Sequence, residues 1–262
     1  MKALAARRRH PAAFVILLLF GLLITGGAYA ALAPGQAQAE SSAASADDVK
    51  KGEQLFLANC STCHGKNAVG TADGPSLIGV GAASVDFQVG TGRMPLAAQG
   101  VQAKRNKPQF SAEETKQMAA YVASLAPGPA IPDEKYTTAE GANLARGGDI
   151  FRVNCSMCHN YAGSGGALTR GKFAPPLRDI EGKHIYEAML TGPQSMPVFN
   201  DANITPDEKR DVIAYMHEID KANNTGGHSL GSFGPVADGY FLWLVAMPIM
   251  LGAAIWLGRK AA

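Results

Sequence analysis

Cysteine is scarce in this chain. Only four of its 262 residues are cysteine, and two short motifs use all of them, which excludes a disulfide-stapled scaffold. Charge is sparse too, at 18% Asp, Glu, Lys and Arg, and it lacks a strong bias. Lys2, Arg7, Arg8 and Arg9 precede the first acidic residue, Glu40, while Arg259 and Lys260 follow the last, Asp238. Between them 18 basic residues face 22 acidic ones. The small excess of positive charge therefore lies at the two ends, and no nucleic-acid partner is implied. Residues 14–33 and 239–258 carry no charge at all.

What the chain does have is one pattern written twice: Asn59-Cys60-Ser61-Thr62-Cys63-His64 and Asn154-Cys155-Ser156-Met157-Cys158-His159. Cys-x-x-Cys-His is the attachment signature of c-type haem, in which both thiols bond to the porphyrin vinyls and the imidazole becomes the proximal iron ligand. Cysteines at i and i+3 of a helical turn point to one side, and the histidine after them can swing beneath the ring. The chain is thus expected to carry two covalent haems, on Cys60, Cys63 and His64 and on Cys155, Cys158 and His159. A zinc knuckle and a redox Cys-x-x-Cys are the rivals, but zinc would need both pairs to converge on one tetrahedral site, and each pair sits inside its own copy of a longer pattern.

The repeat extends beyond the motifs. Gly52 to Phe56 lies over Gly147 to Phe151, Gly74-Pro75-Ser76-Leu77 over Ala174-Pro175-Pro176-Leu177, and Arg93-Met94-Pro95 over Ser195-Met196-Pro197. Each copy closes with a helix opened by a capping box, Ser111 to Glu114 and then Thr205 to Glu208. An all-α chain follows, with tandem domains at 47–126 and 141–222 joined by a Pro-rich linker, 127–140, that should restrict their separation.

Each half resembles a class I cytochrome c domain. The resemblance assigns Gly52, Phe56 and Tyr121, and then Gly147, Phe151 and Tyr215, to the crossing of the first and last helices. It also implies methionine as the distal iron ligand, placing Met94, 30 residues after His64, and Met196, 37 after His159. Both stand before proline, which favours an extended loop conformation. Met118, Met189 and Met216 fall in helical patterns and read as core, Met157 as a variable motif position, and His184, His217 and His228 as surface or capping residues. Arg93, Lys172 and Arg178 are candidate partners for haem propionates. The second half inserts seven residues around Gly163 to Lys172.

Twenty uncharged helical residues span about 30 Å, one hydrocarbon core. Residues 1–33 therefore read as an N-terminal transmembrane anchor, with a cleaved signal segment as the alternative suggested by Ala28-Tyr29-Ala30 and Ala37-Gln38-Ala39. Residues 34–46 read as a flexible tether, 223–238 as a loop and 239–258 as a C-terminal transmembrane helix with aromatics at its boundaries. The flanking basic residues put both termini in the cytoplasm and the haem domains on the extracytoplasmic face of the cell membrane.

This arrangement resembles the dihaem cytochrome c subunits of actinobacterial cytochrome bcc complexes, the menaquinol:cytochrome c reductases. The resemblance implies a cytochrome b subunit and a Rieske iron-sulfur subunit as partners, and a cytochrome c oxidase docked in a supercomplex. The chain would be an electron-transfer subunit of a translocase with no catalytic site of its own. A dihaem subunit of a haem-copper oxidase is the alternative, expected to lack the C-terminal span; an independent dihaem carrier would lack both spans.

Overall fold

The computed structural model describes residues 11–32, 44–221 and 239–261. The basic residues 2 and 7–9, most of the tether and the loop with His228 lie outside them. Helix α1, Pro11–Leu32, belongs to a unit of its own. It opens with proline, whose missing N–H costs nothing at a first helical position. Its described side chains are largely exposed and apolar from Ala12 to Ala28.

The rest forms a second unit with two cores. In the first half, α2 (Ala46–Asn59) crosses α5 (Ala112–Leu125), with the haem-motif turn α3 (Ser61–His64) and helix α4 (Gly81–Gly90) between them in sequence. Ser45 caps α2 by accepting from the Asp48 N–H at 3.1 Å, and Asp47 and Asp48 complement the helix dipole. The Ser111–Glu114 capping box forms at α5. Phe56, Met118 and Val122 fill the core. The second half repeats the plan with α6 (Leu144–Asn154), the turn α7 (Ser156–His159), α8 (Gly182–Thr191) and α9 (Pro206–Lys221). Thr205 and Glu208 cap α9 reciprocally. The inserted residues form a small antiparallel ladder, β1 (Gly166–Ala167) with β2 (Phe173–Ala174).

Both crossings are built as the repeat suggests. Phe56 and Tyr121 meet at 5.3 Å between ring centroids, and Phe151 and Tyr215 at 5.7 Å. A Cβ on Gly52 would strike the Gln117 carbonyl, and one on Gly147 the Asp211 carbonyl. Gly147→Ala must therefore push α6 off α9, and we expect it to destabilise the second half by about 1–3 kcal/mol. Gly100→Ala, whose Cβ meets nothing within 4 Å among the described residues, should be near neutral; urea unfolding of the two variants checks the contrast.

The two halves pack together through α4 and α8. His184 is half-buried there, edge-on to Phe87 at 6.2 Å, with its Nδ1 2.8 Å from Glu187 Oε2. It is thus neither a surface nor a capping residue, because its ring fills the space left open by Gly90. Lys183 reaches Asp86 at 2.7 Å. The Gln102 side chain acts as an extra strand residue on Phe173, donating to its carbonyl at 2.8 Å and accepting from its N–H at 2.9 Å. The linker lies along the start of α4, where Pro129 accepts from the Ala83 N–H at 3.1 Å. Gly81 and Gly128 have no room for a Cβ in this close approach.

The C-terminal helix runs Gly239–Lys260, with mean hydropathy 2.0 and no burial inside the structure, and is long and apolar enough to cross a membrane. A wide π turn at Leu242–Ala246 precedes α10, Met247–Ala261. Pro248 explains it, since proline has no N–H to donate and its ring crowds the preceding turn. Lys260 sits 4.6 Å over the Trp256 ring.

Candidate functional site

Each Cys-x-x-Cys-His segment is a turn hinged on its first cysteine. Cys60 ends α2, donating to the Phe56 carbonyl at 2.8 Å, and its own carbonyl accepts from the His64 N–H at 3.0 Å. Cys155 repeats this with Phe151 and His159, both at 2.9 Å. Their backbone angles agree closely, φ −119°, ψ −28° against φ −117°, ψ −37°. The flanking residues common to both motifs hold this hinge. Asn59 and Asn154 each donate to the carbonyl four residues back at 2.9 Å, and Ser61 and Ser156 do so at 2.7 and 2.8 Å. Sequence reasoning gave these four no role, although their identity across the repeat was the available signal.

The histidines are oriented alike. His64 Nδ1 lies 2.7 Å from the Pro75 carbonyl, and His159 Nδ1 2.9 Å from that of Pro175. A carbonyl only accepts, so Nδ1 carries the proton and Nε2 presents its lone pair, the arrangement that fixes a metal-ligating imidazole. Burial pushes the His159 pKa down against the opposing effect of Pro175, favouring the neutral ring that can ligate. Burial, and then the neighbouring thiol, pushes Cys60 and Cys155 up to about 11. The two cysteine pairs do not converge, because Cys60 packs against the first core and Cys155 against the second.

Met94 and Met196 follow α4 and α8 in equivalent loops and pack against the same core as the first cysteine of the matching motif, Cys60 and Cys155. Met94 N donates to Gln88 O at 2.9 Å, and the Met196 loop is pinned by Phe199 N to Met189 O at 2.7 Å. Met118, Met189 and Met216 are buried in the cores, as their helical spacing predicts. Met157 is 84% exposed and reaches no core. His217 bonds the Ile180 carbonyl at 3.0 Å, and Lys172 the Ser195 hydroxyl at 2.9 Å. Beside Cys155, Cys158, His159 and Met196 opens a cavity of about 620 Å³, of cofactor size. Two thiols, an oriented imidazole, a thioether and this volume fit a covalently held haem.

Comparison with known proteins gives the same picture. The sequence pattern of the family described as cytochrome C oxidase, cbb3-type, subunit III matches residues 47–122 and 142–216. The chain is 43% identical over 252 residues to a cytochrome bc1 complex cytochrome c subunit of Mycobacterium tuberculosis, covering 94% of this chain and 90% of that protein. It is 41% identical over 280 residues to the subunit so named in Corynebacterium diphtheriae, covering 99% of each. A cbb3-type cytochrome c oxidase subunit FixP of Sinorhizobium medicae is 28% identical over 160 residues, covering 56% of this chain and 51% of that protein. Cytochrome c domains imply covalently bound haem c.

Proposed function

Because the chain belongs to the family of cytochrome bc1 complex cytochrome c subunits, we propose that it is the membrane-anchored dihaem electron-transfer subunit of a menaquinol:cytochrome c reductase, a translocase. Cys60 and Cys63 hold one haem and Cys155 and Cys158 the other. His64 with Met94, and His159 with Met196, would ligate the two haem irons. Haem bound in this way supplies a one-electron iron couple whose potential methionine raises. The protein's own part is to fix each imidazole tautomer through Pro75 and Pro175 and to present each thioether from a proline-bounded loop. The observation carrying the proposal is this duplicated set: two hinged cysteine turns, each with its histidine proton tied to a proline carbonyl and its methionine loop on the same core.

Residues 47–126 and 141–222 are the two haem domains, the first meeting a Rieske iron-sulfur subunit and the second a cytochrome c oxidase, with a cytochrome b subunit beside the membrane helices. The haem domains lie on the extracytoplasmic face and both termini in the cytoplasm. The oxidase-subunit alternative is disfavoured by the C-terminal helix Gly239–Lys260 and by the much shorter match to the FixP protein. Purification from native membrane, with a pyridine haemochrome count, tests the proposal. Two haems per chain and co-purifying cytochrome b and Rieske subunits are expected; one haem per chain, or an oxidase core without those subunits, would sink it. A reporter fused after Ala262 should be active only in the cytoplasm.

A further inference from the structure

The cavity beside Cys155 and His159 is not walled by the second half alone. Phe87, Arg93, Gln102 and Arg105 of the first half line it as well. Sequence position suggests that Arg93, next to Met94, serves the first haem, but the fold turns its guanidinium the other way. Arg93 lies 4.5 Å over the Phe87 ring and donates to Thr91 Oγ1 at 2.6 Å. Phe87 itself stands against His184 of the second half.

Arg93 is half-buried, and among the described residues neither it nor Arg105 has a carboxylate within ion-pairing distance. Burial, and then the neighbouring charge of Arg105, pushes its pKa down. Arg105 stands at the exposed edge of the same cavity, and a half-buried guanidinium without a carboxylate partner is stabilised when an anion joins it. The second half's own Arg178 is already beside Asp220, at 3.9 Å. The loop carrying Arg105 is tied down across the interface by Gln102 on Phe173 and by Ala103 N on Gln194 Oε1 at 3.3 Å.

We propose that Arg93 and Arg105 of the first half are positioning residues for the second haem, their guanidinium groups holding the porphyrin carboxylates in the cavity beside Cys155, Cys158 and His159. This rests on the reading that the second half carries a haem. Planar guanidinium groups match carboxylates in a way that ammonium groups do not. The pairing would also place the residue adjoining one iron's methionine ligand, Met94, in contact with the other haem.

The test is a potentiometric titration of the purified full-length complex carrying Arg93→Gln, Arg105→Gln or Arg178→Gln, with Arg93→Lys retaining the charge. The two haems are assigned with Met94→His and Met196→His, each of which marks one spectrum. The expected result is a fall in the second haem's midpoint potential in Arg93→Gln and Arg105→Gln, because removing positive charge disfavours the reduced iron. The first haem should keep its potential and its methionine band, Arg93→Lys should recover most of the loss, and Arg178→Gln should have the smaller effect. A shift confined to the first haem, no shift at all, or dominance by Arg178 overturns the assignment. Haem counting on the same samples separates the two failures. Two haems with an unmoved second potential reject the clamp alone, whereas a wild-type count of one rejects the dihaem reading on which it stands.

Discussion

Met196→Ala is expected to erase the methionine-to-iron charge-transfer band of one haem and leave the other's intact, and Met94→Ala to do the converse. Methionine opposite histidine raises a haem's potential, so each variant should lower one midpoint by more than about 60 mV, which for one electron is more than a tenfold change in equilibrium. Quinol-to-oxidase electron flow should fall accordingly. The buried methionines make the contrast. Met118→Ala, Met189→Ala or Met216→Ala should keep both bands while costing about 2–5 kcal/mol of stability through the cavities left behind. Near-infrared spectra of the oxidised variants check this; survival of both bands in the Met94, Met196 double variant would remove these residues as ligands.

Glu187→Gln is expected to make the protein more stable at alkaline pH and to flatten its pH dependence. Glu187 is fully buried on α8 and faces Asp86 of α4, with His184, Lys183 and Glu181 nearby. Among the described residues Glu187 Oε1 has no hydrogen-bond partner, and a proton there could be donated to the Asp86 carboxylate, whose Oδ2 also meets Lys183 Nζ at 2.7 Å. Burial, and next the charge of Asp86, raises the Glu187 carboxyl to about 10. The folded chain therefore keeps a proton that the unfolded chain sheds above its ordinary pKa, 4.5. This contribution is complete below that value, declines as pH rises towards 10, and is gone above it. The slope approaches about 1.4 kcal/mol per pH unit. Melting temperatures between pH 5 and 9 should fall for the wild type and stay level for Glu187→Gln, whose amide can donate without titrating. Parallel curves would show that the carboxyl holds no such proton.

The sequence was most informative where chemistry forces identity on a repeat. Cys-x-x-Cys-His admits little variation, and the glycine and aromatic crossing is visible because a close helix approach tolerates only glycine. The capping boxes at Ser111 and Thr205 were legible for a similar reason, since their partners stand three residues away. What stayed hidden depends on partners distant in sequence. Pro75 and Pro175 act through carbonyls, which any residue possesses, so their role could not be read from residue type. His184 and Glu187 belong to an interface created only when α4 meets α8. Arg93 adjoins Met94 in sequence yet faces the other half's cavity, because a loop following a helix can send neighbouring side chains in opposite directions.

That shared wall has a consequence for the history of the repeat. Two freshly duplicated copies would each enclose their own pocket and could be lost, exchanged or reordered independently. Here the second copy's cavity is completed by Phe87, Gln102 and the arginines of the first, so the second copy cannot be transplanted without leaving one side open. A recombination event between the copies would therefore leave the downstream one with an incomplete pocket.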